Sequence, residues 1–213
     1  MAQKEITPAQ PLVIEPALAL LEISSIAIGI LTVDAMVKRT ALEVVHAGTV
    51  HPGHFLILVG GPVAEVEEAI TVAKEMAADT LTESLFLANV HPDVVSAIGS
   101  NRKKPVGDAL GIIETYHVPA AIQAADAGIK GAEVRLLEVR LAEGLHGKGL
   151  VFFNGDVSDV EASVEMATGV LKTDQIVRKI VIPQLHAEVM DILIGSTRFG
   201  VQIGWAVGNT DDD

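Results

Sequence analysis

The sequence predicts an α+β fold written twice: two consecutive copies of a ferredoxin-like (split βαβ) sandwich, each with helices on one face of an antiparallel sheet. Three observations predict it. A segment near the start of the chain returns near its middle. Each copy reads strand, helix, strand, strand, helix, strand. The composition is aliphatic, with 49% hydrophobic but only 3% aromatic residues among 213. Ala, Val, Ile and Leu therefore build the core, and disorder of the whole chain is excluded.

The repeat is ordered. Ala17-Leu18-Ala19-Leu20-Leu21-Glu22 returns as Ala109-Leu110-Gly111-Ile112-Ile113-Glu114, and Asp34-Ala35 and Lys38 match Asp126-Ala127 and Lys130 at the same offset of 92. Gly61, Val63, Val66 and Glu67 match Gly155, Val157, Val160 and Glu161 at offset 94, and His91 matches His186 at offset 95. A tandem duplication explains the series. Its copies are placed at 17–98 and 109–194. Residues 99–108 form a polar, turn-rich linker. Residues 1–16 read as a flexible arm, and 195–213 as a C-terminal extension.

Within a copy, the apolar run Leu18–Ile23 suits a buried strand. Ser24 or Ser25 can cap a helix in which Ile26, Ile30, Val33 and Val37 lie at helical spacing. In the second copy Pro119 suits the first helical turn. Glu43–Val50 and Phe55–Val59 read as strands joined at Pro52-Gly53. Gly60-Gly61-Pro62 opens a second helix, with Glu65, Glu67 and Glu68 in its early turns, where acidic groups favour the dipole. Leu85–Ala88 reads as the last strand and Asp93–Ile98 as a short helix. In the extension, Phe199, Val201, Ile203, Trp205 and Val207 alternate with small or polar residues, a period of two that suggests an added strand or docking peptide.

Charge and composition exclude several functions. Fifteen Lys and Arg against 28 Asp and Glu give a net charge of −13, which opposes binding to nucleic acid or anionic membranes. Few aromatics means no stacking platform for single strands. The absence of cysteine excludes disulfides, thiolate catalysis and thiolate-held iron–sulfur clusters. Residues 17–33 are apolar but broken by Glu22, Ser24, Ser25 and Thr32, too short for a membrane span. Residues 1–5 show no signal-peptide pattern, so a cytoplasmic protein is expected. No nucleophile–base pair or paired-carboxylate pattern repeats, so no enzyme activity is expected.

Five segments carry a resemblance: Ala109-Leu110-Gly111-Ile112-Ile113-Glu114-Thr115, Ala121-Ile122-Gln123-Ala124-Ala125-Asp126-Ala127, Lys130, Asn154-Gly155-Asp156-Val157 and Ile182-Pro183-Gln184-Leu185-His186. In this order and spacing, given twice and unpermuted, the chain resembles the shell domain of bacterial microcompartments in its tandem, trimer-forming version. The resemblance implies a homotrimer forming a flat pseudohexagonal tile with one central pore. Such tiles join hexameric and pentameric shell proteins edge to edge and pass small metabolites. It also implies the location, in a microcompartment shell within the cytoplasm. No cofactor is expected.

The resemblance assigns the pore lining to Val50, His51, Pro52 and Gly53 in the first copy and to Gly144, Leu145, His146 and Gly147 in the second. Some members of the tandem group carry a cysteine-proline-glycine at the first loop, where three cysteines hold an iron–sulfur cluster. This chain has His51-Pro52-Gly53 instead. Inward backbone N–H groups would offer donors to polar or anionic solutes, and His rings would tune pore charge with pH. The alternative reading is a metal- or electron-handling trimer in which a His51 ring suits Zn²⁺ or Fe²⁺. A third is a small-molecule-binding trimer, because this fold also serves sensors. The family's edge lysine falls on Lys38 and Lys130, and its histidine after the last strand on His91 and His186. Asn89 and Gln184 stand where many members have arginine. Asp34 and Asp126 are expected at the subunit contact.

Overall fold

The computed structural model describes residues 17–99 and 103–204. Strand β1 (Ala17–Ile23) is followed by α1 (Ile26–Arg39), β2 (Val44–Val50), β3 (His54–Gly61), α2 (Val63–Ala77), a 3-10 turn, β4 (Leu81–Leu87) and α3 (Pro92–Ile98). The second copy repeats the order: β5 (Ala109–Thr115), α4 (Val118–Gly131), β6 (Arg135–Leu141), β7 (Gly149–Gly155), α5 (Val157–Gly169), a 3-10 turn, β8 (Ile176–Ile182) and α6 (Ala187–Gly195). Each copy forms a four-stranded antiparallel sheet, ordered β2-β3-β1-β4 and β6-β7-β5-β8. This is the strand order of a split βαβ sandwich. Both sheets shift register at the same place, after Glu22 on β1 and after Glu114 on β5.

Ser25, not Ser24, caps α1 by accepting the Ile28 N–H at 3.4 Å. Ser24 instead donates to the Thr80 carbonyl. Strand β4 begins four residues earlier than its apolar run suggests, because pairing with β1 extends it to Leu81.

Each sheet has two apolar faces. On the first sheet Ala19, Leu21, Ile57 and Val59 pack with Val66, Ile70 and Ala73 of α2. Its other face presents Leu18, Leu20, Leu58 and Leu85, which share one core with Val118, Ile122, Ala125 and Ile129 of α4. Helix α4 is thus buried between the two sheets. Helix α3 crosses to pack against β6 and α4. The linker end is tied down by Asn154, which is wholly buried. It accepts the Val106 and Gly107 N–H groups and donates to the Gly107 and Ala109 carbonyls.

The extension departs from expectation. Phe199–Gln202 form a single helical turn, α7, not a strand. Ser196 Oγ accepts the Arg198 N–H, and the Val201 and Gln202 amides bond back to the Arg198 carbonyl. An alternation this short does not distinguish a strand from a helical turn. Residues 1–16, Trp205, Val207 and the final aspartates lie outside the described residues. Among the described residues no helix is long and apolar enough to cross a membrane.

Candidate functional site

The two loops expected at a pore are brought together. Val50 ends β2, and His51, Pro52 and Gly53 form an exposed turn closed by the Gly53 N–H on the Val50 carbonyl at 2.9 Å. Gly53 has φ 103°, which favours glycine. In the second copy Gly144, His146 and Gly147 all take positive φ, at 69°, 54° and 84°. Gly144 and His146 are exposed, Leu145 is half-buried and Gly147 is buried. A Cβ on Gly147 would lie 3.1 Å from Pro52 Cδ and 3.5 Å from the His51 carbonyl oxygen. The loops therefore touch, backbone against ring, and a side chain at Gly147 would crowd the contact.

The four edge candidates divide. Lys130 and His91 meet where one copy joins the other. Asp126, on α4, accepts the His91 backbone N–H at 2.8 Å and pairs with Lys130 at 2.6 Å. Lys130 also donates to the Asn89 carbonyl. Among the described residues Lys38 pairs only with Asp34, at 2.6 Å, and both are largely exposed. His91 and His186 share a role that sequence reasoning missed. Each Nδ1 accepts an N–H two residues on, from Asp93 and Glu188, capping α3 and α6.

A second cluster was also missed. Glu22, on β1, is 1% exposed. Its Oε1 lies 2.7 Å from His54 Nδ1 and 3.4 Å from His117 Nδ1, and its Oε2 accepts the Val118 N–H that opens α4. Glu83 lies opposite Glu22 on β4 and accepts from Gln175. Burial raises the Glu83 carboxyl above its ordinary range. The Gln175 hydrogen bond and His117 oppose that rise, Glu22 adds to it, and Lys172 opposes it. Among the described residues Glu22, Glu83 and His117 bring three metal-capable atoms within 4.8 Å of one another. His51 is not in this group. The only sequence signal lay in how the copies differ: Glu83, His117 and His54 align with Arg178, Ser25 and Lys148.

The strongest asymmetry lies in matched apolar residues. Ile122 is 0% exposed, whereas its counterpart Ile30 on α1 is 54% exposed. Leu85 on β4 is 6% exposed, whereas its counterpart Ile180 on β8 is 47% exposed. Val118 and Ile129 are buried while Ile26 and Val37 are exposed, and Val94 and Ala97 are buried while Val189 and Ile192 are exposed. Of the α1 stripe legible in the sequence, Ile26, Ile30 and Val37 thus face outward, while Val33 packs against the first sheet's core. The first copy leaves bare the helix surface that the second copy buries. The second copy leaves bare the sheet and helix surface that the first copy buries.

Comparison with known proteins points to one family. The BMC domain matches residues 17–90 and again 109–185. The bacterial microcompartment shell protein PduT of Citrobacter freundii is 38% identical over 171 residues, covering 80% of this chain and 93% of that protein. The shell protein PduA of the same organism is 37% identical over 89 residues, 40% of this chain and 91% of that protein. A microcompartment protein from Desulfitobacterium hafniense has a crystal structure that superposes with a TM-score of 0.73 at 38% identity, covering 82% of this chain and 98% of that one.

Proposed function

This chain belongs to the BMC-domain family of bacterial microcompartment shell proteins, and from that premise we propose that it forms a homotrimeric, pseudohexagonal shell tile with a central pore for small metabolites. Its role is structural and not enzymatic. Its place is the shell of a microcompartment in the cytoplasm. Hexameric and pentameric shell proteins are its edge partners, and neither nucleic acid nor membrane is a partner.

The carrying observation is the exposed α1 stripe, Ile26, Ile30 and Val37, together with the exposed Ile180, Val189 and Ile192. The contact within the chain buries the counterparts of both sets. Two bare surfaces that complement one another but not themselves call for a head-to-tail contact, and such contacts close into rings when the rotation permits. Three chains supply the six domains of the family's tile. In that ring Asp34 would take the neighbour's His186 N–H, as Asp126 takes that of His91, and Lys38 would reach the neighbour's Gln184 carbonyl, as Lys130 reaches that of Asn89. The outer ends of these contacts, at Lys38, Lys130, His91 and His186, form the tile edge. The touching loops, Val50 to Gly53 and Gly144 to Gly147, line the opening, where His51 and His146 set its charge.

Native mass spectrometry tests the ring and electron microscopy tests the sheet. A species of about three times 22.4 kDa that forms flat sheets is expected. A monomer at working concentration would overturn the tile.

A further inference from the structure

The two copies solve the same electrostatic problem differently. On the second sheet Glu114 faces Arg178 across β5 and β8. On the first, the same register sets Glu22 against Glu83, and like charges directly opposite are destabilising. Where the second copy has a permanent cation, the first has an acid. That acid is incompletely satisfied: Glu83 Oε2 is buried with no hydrogen-bond partner. The imidazole of His117 supplies a third donor atom.

The spacing suits a metal ion better than a hydrogen bond. Glu22 Oε1 and His117 Nδ1 are 3.4 Å apart, long for a hydrogen bond. Two ligands about 2.0–2.1 Å from a tetrahedral ion stand roughly 3.3 Å from each other. The outer contacts also fit. His54 at 2.7 Å and the Val118 N–H hold the Glu22 carboxylate, and Gln175 holds Glu83 by its other oxygen, Oε1. Ligands held by hydrogen bonds of this kind are characteristic of metal sites.

We propose that Glu22, Glu83 and His117 bind one divalent first-row transition cation of the Zn²⁺ type at the junction between the two copies. Two carboxylates neutralise the dication, and the fourth position is left to solvent, as in open three-ligand sites. The ion supplies the positive charge that Arg178 brings opposite Glu114 in the second copy. It ties β1 and β4 of the first domain to the start of α4 in the second. All three ligands come from one chain, so the site does not depend on the ring and survives in a monomeric variant.

Isothermal titration of the chelator-treated full chain, made without a polyhistidine tag, with Zn²⁺ tests the proposal. One ion per chain is expected. Glu83→Gln, which preserves shape, and His117→Ala should each weaken binding at least about tenfold, while His51→Ala leaves it unchanged. Cobalt substitution is the check that needs no variant: wild-type protein with Co²⁺ should show the visible absorption of a four- or five-coordinate ion. Absence of binding by the wild type would overturn the site. So would wild-type affinity in Glu83→Gln, or loss of the ion in His51→Ala alone, which would move it to the pore.

Discussion

The Asp126 carboxylate accepts the His91 backbone N–H at 2.8 Å from 35 positions away, fastening the turn after β4 to the flank of α4. Asp126 is 5% exposed and also holds Lys130. Among the described residues its counterpart Asp34 makes only a solvent-exposed pair. Asp126→Ala should therefore destabilise the chain by about 2 kcal/mol, the cost of leaving a partly buried N–H without its charged acceptor. Asp34→Ala should change monomer stability by less than about 0.5 kcal/mol. Urea unfolding of both variants checks the contrast.

Matched substitutions on the two equivalent helices should separate folding from assembly. Ile122→Asp places a charge inside the junction and should cost more than about 4 kcal/mol, enough to prevent folding. Ile30→Asp should leave the circular dichroism spectrum and thermal midpoint unaltered while converting the oligomer to monomers. Light scattering coupled to size exclusion reads the second outcome. An intact oligomer in Ile30→Asp would show that α1 is not the contact.

Asn154 anchors the linker end through four hydrogen bonds to backbone groups. Asn154→Ala should destabilise the chain by roughly 3 kcal/mol, since net values near 1 kcal/mol per bond are augmented by stranded donors and acceptors. Limited proteolysis should then cut near Val106 before the rest of the chain is attacked.

The half-buried Glu83 makes stability depend on pH in a stated direction. Its carboxyl is raised above 4.5, chiefly by burial, so the folded chain binds this proton more tightly than the unfolded chain. That contribution is fully present below the ordinary value of 4.5 and is lost as pH rises through the raised folded value. His117, Glu22 and Lys172 act on the group and shift where the loss occurs. In chelator-treated protein, the melting temperature of Glu83→Gln should gain on the wild type as pH rises from about 4.5 towards neutrality. A constant difference across that range would show that Glu83 does not titrate there.

Most of the architecture could be read from the residues, because duplication states it twice. The run Ala17 to Glu22 and its return at Ala109 carried β1 and β5, and Pro52-Gly53 marked the turn between β2 and β3. Local patterns failed where tertiary contact decides. Leu81 to Ser84 lack a strong strand signal and are strand because β1 pairs with them. The short alternation after Gly195 misled at α7. The Glu22, Glu83 and His117 cluster showed only as differences between the copies and not as a motif, since its members lie 61 and 34 positions apart and meet only when α4 docks on the first sheet. Likewise, spacing alone placed Ile30 on a helix but could not say that the chain leaves it bare.

The burial of α4 between the two sheets also has a kinetic meaning. That junction closes within a single molecule, so its strength is set by an effective concentration that expression level cannot alter. In a three-chain ring only the alternate junctions, those at α1, remain bimolecular. Dilution would then separate such a ring at three seams and never at six, and tile abundance would be controlled through one kind of contact alone.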